Sequence, residues 1–193
     1  MAVDVDDGVS FDIERLRIEA IREEVEYGGS RLRTTAALAG ARIPITVDIG
    51  FGDAIEPGIE DIDLPVLLDM PSPHLRAYPL ETVIAEKFHT MVALGMANSR
   101  MKDYYDVWML TSAFELEPER LRMAILATFA RRSTAVPTSI PDGLSDAFAK
   151  DPRKQRQWDA FARNLFGSVP ELGLVVSDLR QRLENLVPKK WTP

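Results

Sequence analysis

The stretch Ala85–Leu110, AEKFHTMVALGMANSRMKDYYDVWML, decides how this chain is read. It holds two helical periods separated by the short GMANSR segment, Gly95 to Arg100. On a wheel of about 100° per residue, Leu80, Val83, Ile84, Met91 and Leu94 fall in one arc. Lys87 falls inside that arc, four residues after Val83 and four before Met91, with Glu86 at its edge. A lysine at such a position is costly to bury unless it is paired or faces a wet cleft. It is either a rim lysine whose stem packs while its ammonium reaches water, or a member of a site. In the second helix Val107, Leu110 and Phe114 line the apolar face, and Asp103 lies in line with them. Asp106 follows Asp103 by three residues, so both carboxylates reach one side of the first turn.

Each aspartate alone is explained by the preference for acidic residues in a first turn, with Asn98 or Ser99 starting the helix. The conjunction asks for more. The short connection predicts an antiparallel helix pair. That pairing places Lys87, Arg100, Lys102, Asp103 and Asp106 at facing helix ends. Several cations and carboxylates at one mouth suit a triphosphate with its magnesium.

Working outward, the helical period runs from Tyr78 to the end, with helices near 79–97, 102–114, 118–132, 142–150, 153–166 and 174–186. RRSTAVPTSIP, from Arg131, is a proline-broken loop between two of them. Upstream the period is that of strands. In IERLRIEAI, Leu16, Ile18 and Ala20 alternate with Arg15, Arg17 and Glu19, the pattern of a half-buried strand. GGS, Gly28–Ser30, reads as a turn, RLRTTAAL as a second strand and AGAR as a tight connection. In IPITVDIGFGD, Ile43, Ile45, Val47 and Ile49 share one face, and Pro44, Thr46 and Asp48 the other. Three strands with short turns predict an antiparallel meander, and Pro44 marks an edge strand or a strand start. AIEPGIEDIDLPVLLDMPSP reads as loop and short strand. The order is strands first and helices after. The expected fold is α+β: an antiparallel or mixed sheet in a β-rich part, 1–75, packed against a C-terminal helical bundle, 76–193.

Asp48 stands mid-strand, where aspartate is disfavoured. It is either a solvent-facing residue of the meander or a metal ligand projected from the sheet. Asp53, after GFG, is a turn residue.

Composition narrows the function. The chain has 193 residues, 46% hydrophobic and 27% charged, with no cysteine and two histidines, His74 and His89. Disulfides, thiolate metal sites and cysteine nucleophiles are excluded, and a reducing cytoplasm is the expected location. No apolar run nears the roughly 18 residues of a membrane span, and the acidic MAVDVDDGVSF start is not a signal peptide. A net charge of −7 argues against non-specific binding of nucleic acid over the whole surface.

The stretch YPLETVIAEKFHTMVALGMANSRMKDYYDVWML resembles the AbiEii/AbiGii toxin family of nucleotidyltransferases, toxins of bacterial toxin–antitoxin and abortive infection systems. DDGVSFD, GGSRLRTTAALAGARIPITVDIGFGD and ATFARRST carry the likeness across nearly the whole chain. Its most specific part is the pairing of I-x-x-E-K, Ile84 to Lys87, with R-x-K-D-x-x-D, Arg100 to Asp106. The resemblance implies a DNA polymerase β-like nucleotidyltransferase fold and magnesium-dependent transfer of a nucleotide from an NTP to RNA, in known cases tRNA. It also implies an antitoxin partner. Carried over, Asp48 is a metal carboxylate, and Lys87, Arg100 and Lys102 bind the nucleotide. Asp103 and Asp106 complete the catalytic set. The family's Gly-Ser turn followed by D-x-D is not found here. Neither DVD, Asp4 to Asp6, nor DID, Asp61 to Asp63, has the right setting. The expectation is therefore of a chain truncated before its main metal motif, with little or no catalysis of its own. The alternative is a non-catalytic module that binds an antitoxin or a sibling chain.

In the helical remainder, Leu121, Ile125 and Phe129 form a core stripe. Arg131 and Arg132 either answer the helix dipole or contact an RNA phosphate. Lys150, Arg153, Lys154, Arg156 and Arg163 gather around Trp158, as a solvated charged face or an RNA surface. Leu172, Val175, Val176, Leu179, Leu183 and Leu186 make a docking helix for the core or for a partner.

Overall fold

The computed structural model describes residues 7–21, 29–187 and 191. The chain divides into two compact units, Met1–Asp53 and Ala54–Pro193.

The first unit is an antiparallel sheet centred on β3, Gly29–Leu38. β4, Ala41–Gly50, covers one edge of β3 along its whole length, from Gly29 opposite Gly50 to Leu38 opposite Ala41. The other edge is shared by two short strands in line. β1, Val9–Phe11, pairs with Ala36–Leu38, and β2, Arg17–Ile21, pairs with Gly29–Arg33. The expected meander is thus present as β2, β3 and β4, and Pro44 does lie on an edge strand, where its missing N–H breaks no ladder.

Two local expectations are corrected. The segment read as one strand from Ile13 begins instead with a 3-10 turn, Ile13–Arg15. The Asp12 carboxylate accepts the Arg15 N–H at 3.1 Å, and Thr34 ties down the Asp12 carbonyl, so the chain coils before it extends. In GGS, Gly29 and Ser30 already belong to β3, opposite Gly50 and Ile49, while Gly28 lies outside the described residues.

Register sorts the sheet into two faces. Phe11, Ile18, Leu32, Ile43, Val47 and Ile49 fall on one, and Arg17, Glu19, Arg31, Arg33, Thr46 and Asp48 on the other. β2 is not half-buried: Ile18 is 66% exposed.

The second unit opens with a ribbon of β5, Glu60–Asp63, and β6, His74–Ala77. The sequence reading does not separate β6 from loop. Among the described residues six helices follow: α1, Leu80–Leu94; α2, Met101–Ala113; α3, Pro118–Arg131; α4, Asp146–Lys150; α5, Pro152–Ala162; and α6, Leu172–Glu184. Their limits have local causes. Pro118 and Pro152 open α3 and α5, where a missing N–H costs nothing. Ser145 caps α4 through the Phe148 N–H, and Asp151 caps α5 through the N–H groups of Arg153 and Lys154. Gly95, at φ 46°, closes α1 and returns its N–H to the Met91 carbonyl.

One apolar core joins the helices, with Phe88, Met91, Tyr104, Phe129, Phe148 and Leu179 fully buried. α6 serves this core, one of the two roles its leucine and valine stripe left open. Two residues assigned to apolar arcs leave the core: Leu94 is 41% exposed and Phe114 is 53% exposed. Leu94 is the last residue of α1 before the Gly95 reversal, and Phe114 stands past the end of α2 in extended backbone. Among the described residues, no helix is long and apolar enough to cross a membrane.

Candidate functional site

α1 and α2 carry the charged mouth. Between them the chain makes a 3-10 turn, Gly95–Ala97, and then extends through Asn98. Asn98 is fully buried, and its side-chain oxygen accepts the Arg100 N–H at 2.9 Å, just before α2 begins. Neither Asn98 nor Ser99 is the cap of α2; that position falls to Arg100, which makes no side-chain cap bond.

Lys87 projects from α1 toward the first turn of α2. Its ammonium stands 2.6 Å from Asp103 Oδ1 and 2.8 Å from Asp106 Oδ2. Arg100 Nε approaches the other Asp103 oxygen at 2.8 Å, and Lys102 Nζ lies 2.5 Å from Asp106 Oδ2. The five residues that sequence spacing gathered are therefore one network. Lys87 and Asp103 form its inner, largely buried part, while the side chains of Arg100 and Lys102 are 63% and 71% exposed.

The electrostatics follow from this layering. Burial pulls the Lys87 pKa down, but the hydrogen bonds it donates to both carboxylates outweigh it, and the ammonium titrates above its ordinary value. Burial likewise raises Asp106, yet its bonds to Lys102 and Lys87 win and hold the carboxyl below its usual range. Three cations face two carboxylates, an excess of positive charge that favours an anion.

Asp48 is gripped by Arg31 across β3 and β4, Oδ1 to Nε at 2.6 Å and Oδ2 to Nη2 at 2.7 Å. That two-pronged bond lowers the Asp48 pKa and raises that of Arg31. Arg132 pairs with Glu86 of α1 at 3.0 Å, while Arg131 is exposed at the end of α3. Trp158 is buried with its indole N–H on the Pro170 carbonyl at 2.9 Å, so it is a core residue and no stacking platform.

Lys154 is the residue the sequence reading misplaced. It is 7% exposed and donates to the Asn98 carbonyl at 2.7 Å, with the Phe148 ring centre 5.3 Å away. The signal was present: Asp151 and Pro152 set the phase of α5, and Lys154 then shares a face with Trp158 one turn on.

A resident magnesium finds no fitting donors in this arrangement. Both Asp48 oxygens are taken by Arg31, and the oxygens of Asp103 and Asp106 already face Lys87, Arg100 and Lys102. Among the described residues no group of three or more histidine, aspartate or glutamate side chains is gathered as a metal site.

An α+β chain with strands before helices, and a cation-rich mouth between an E-K helix and a K-D-x-x-D helix, is of the nucleotidyltransferase-like class. The chain belongs to the AbiEii family, described as the nucleotidyl transferase AbiEii toxin of type IV toxin–antitoxin systems, whose model matches residues 2–185. The family implies an antitoxin counterpart. No curated protein and no solved structure matches the chain.

Proposed function

We propose that this chain handles a nucleoside triphosphate at the mouth formed by Lys87, Arg100 and Lys102, and that the reaction served is transfer of a nucleotide to RNA, a tRNA being the expected acceptor. The observation that carries this reading is Lys87 fixed between Asp103 and Asp106, with two exposed cations on the rim. Lys87 is held at one point by two carboxylates, so it is preorganised to meet an anion rather than free to sweep. Arg100 and Lys102, each paired with a carboxylate but with an exposed side chain, can turn part of their donors toward phosphate oxygens, Arg100 as a planar fork and Lys102 as a point charge. In the reaction, an acceptor hydroxyl attacks the α-phosphate, the bond from that phosphorus to the bridging oxygen breaks, and pyrophosphate leaves. The three cations suit the charge gathering on that leaving group. The triphosphate is taken with the magnesium it carries in solution; the carboxylates of this chain are assigned no resident metal.

One observation favours a second reading, a binding module without chemistry. Each cation of the mouth already has a carboxylate partner, as in a purely structural ion network. Thermal melting with each of the four NTPs and magnesium separates the two. A ligand at a hundred times its Kd stabilises by about 2.7 kcal/mol, so a rise in midpoint supports the nucleotide reading and no rise with any NTP overturns it. Incorporation of labelled nucleotide into tRNA then distinguishes transfer from binding alone.

A further inference from the structure

Lys154 sits on α5, far along the chain from the charged mouth, yet it ends on the turn that builds that mouth. Its ammonium donates to the backbone carbonyl of Asn98 at 2.7 Å. The Asn98 side chain holds the Arg100 N–H at 2.9 Å, Arg100 Nε meets Asp103 at 2.8 Å, and Asp103 holds Lys87 at 2.6 Å. A continuous path of polar contacts therefore runs from α5 to the inner lysine. Among the described residues Lys154 forms no ion pair with a carboxylate; the Asn98 carbonyl and the face of the Phe148 ring, its centre 5.3 Å away, receive its charge. A buried ammonium with no carboxylate in bonding contact is an expensive way to pin one carbonyl. An apolar side chain would fill the space beside Phe148 at lower cost. What the ammonium adds is a fixed position for Asn98, and with it for the first turn of α2.

We infer that Lys154 is a positioning residue for the anion-binding mouth: it clamps the Asn98 carbonyl and thereby sets where Arg100 enters the site. Its consequence for ligand binding rests on the nucleotide reading above; its consequence for the turn does not.

The test uses the full chain and two readouts. The first is amide hydrogen exchange. In Lys154→Met, the amides of Asn98 and Arg100 exchange faster than in the parent, while those in the middle of α1 and α6 keep their protection. The second is the affinity for inorganic tripolyphosphate, which Lys154→Met weakens about tenfold, the scale of one hydrogen bond from a charged group. Because Lys154 acts through Arg100, Arg100→Gln in the Lys154→Met background adds little to that loss. Leu179→Ala, a core truncation in α6, controls for instability and leaves the affinity unchanged. Unaltered exchange at Asn98 and Arg100 overturns the inference whatever the ligand does. Additive losses in the double variant overturn it too, since Lys154 would then act by another route. A parent protein that binds no tripolyphosphate, but shows the change in exchange, sinks the nucleotide reading and leaves the clamp standing.

Discussion

Lys87 keeps its proton against the pull of burial because two carboxylates stand within bonding distance. Removing it leaves Asp103 buried with Arg100 alone and Asp106 with Lys102 alone. Lys87→Met therefore costs about 1–3 kcal/mol of stability in urea unfolding, and adding Asp103→Asn recovers part of that loss; equal stability of parent and single variant would make the network ornamental. The pH dependence has a definite sign. The folded Asp106 pKa is below its ordinary 3.8, so its contribution is present above that value and fades as pH falls through the lower folded one. The folded Lys87 pKa is above 10.5, so its contribution is present below that value and is lost as pH rises through the higher folded one. Stability owed to the network spans the range between, and Lys87→Met removes the alkaline loss from a titration of the melting midpoint. His89 behaves differently. Burial and then the Arg132 charge push its pKa below 6.5. Its neutral form, bonded to Thr134 at 2.9 Å, supports the fold above pH 6.5, and that support declines as pH falls. The charged five were legible in sequence because helical spacing alone places them at one mouth. Lys154 was legible only in part: Asp151 and Pro152 put it on the Trp158 face, but the carbonyl its ammonium meets belongs to a turn 56 residues away.

At the scale of elements, the α1–α2 pair is held by a third piece, the 3-10 turn Asp142–Leu144. Gly143 makes it possible. A Cβ added there would stand 2.4 Å from the Met91 carbonyl oxygen and 3.1 Å from the Tyr104 hydroxyl, and both are fixed groups. Tyr104 donates to the Gly143 carbonyl at 3.0 Å, and burial drives its pKa well above the usual tyrosine range, so it serves as a permanent donor. Gly143→Ala forces the turn off α1 and costs about 1–3 kcal/mol. Tyr104→Phe loses one hydrogen bond and costs about 1 kcal/mol. Calorimetric melting checks both, and an alanine variant as stable as the parent would show that the turn yields. Helix positions were readable from periodicity, while Pro118, Ser145, Asp151 and Pro152 fix the starts of α3, α4 and α5. The close approach at Gly143 was not, since nothing local distinguishes a glycine needed for contact from one tolerated in a loop.

The whole molecule separates its labour by unit. Every residue of the buried helical core, from Ile84 to Trp191, belongs to the second unit, as do Lys87, Arg100, Lys102, Asp103, Asp106 and Lys154. The first unit contributes an amphipathic sheet, and on its isoleucine face Ile43 is 41% and Val47 48% exposed. Its Asp48 is spent on Arg31. The alternation in β4 told which residues share a face, but alternation records only sidedness and says nothing of what covers a side. A fragment of residues 54–193 should therefore fold by itself, with a single cooperative urea transition, because folding buries the same core with or without the sheet. It should also bind tripolyphosphate as the full chain does, since all the cations of the mouth travel with it. A fragment that folds yet loses the ligand would place part of the anion site in residues 1–53. Asp48→Asn and Arg31→Gln in the full chain would then show which half of that pair is responsible. Freeing Arg31 by Asp48→Asn raises affinity if the guanidinium is that contact, and Arg31→Gln lowers it.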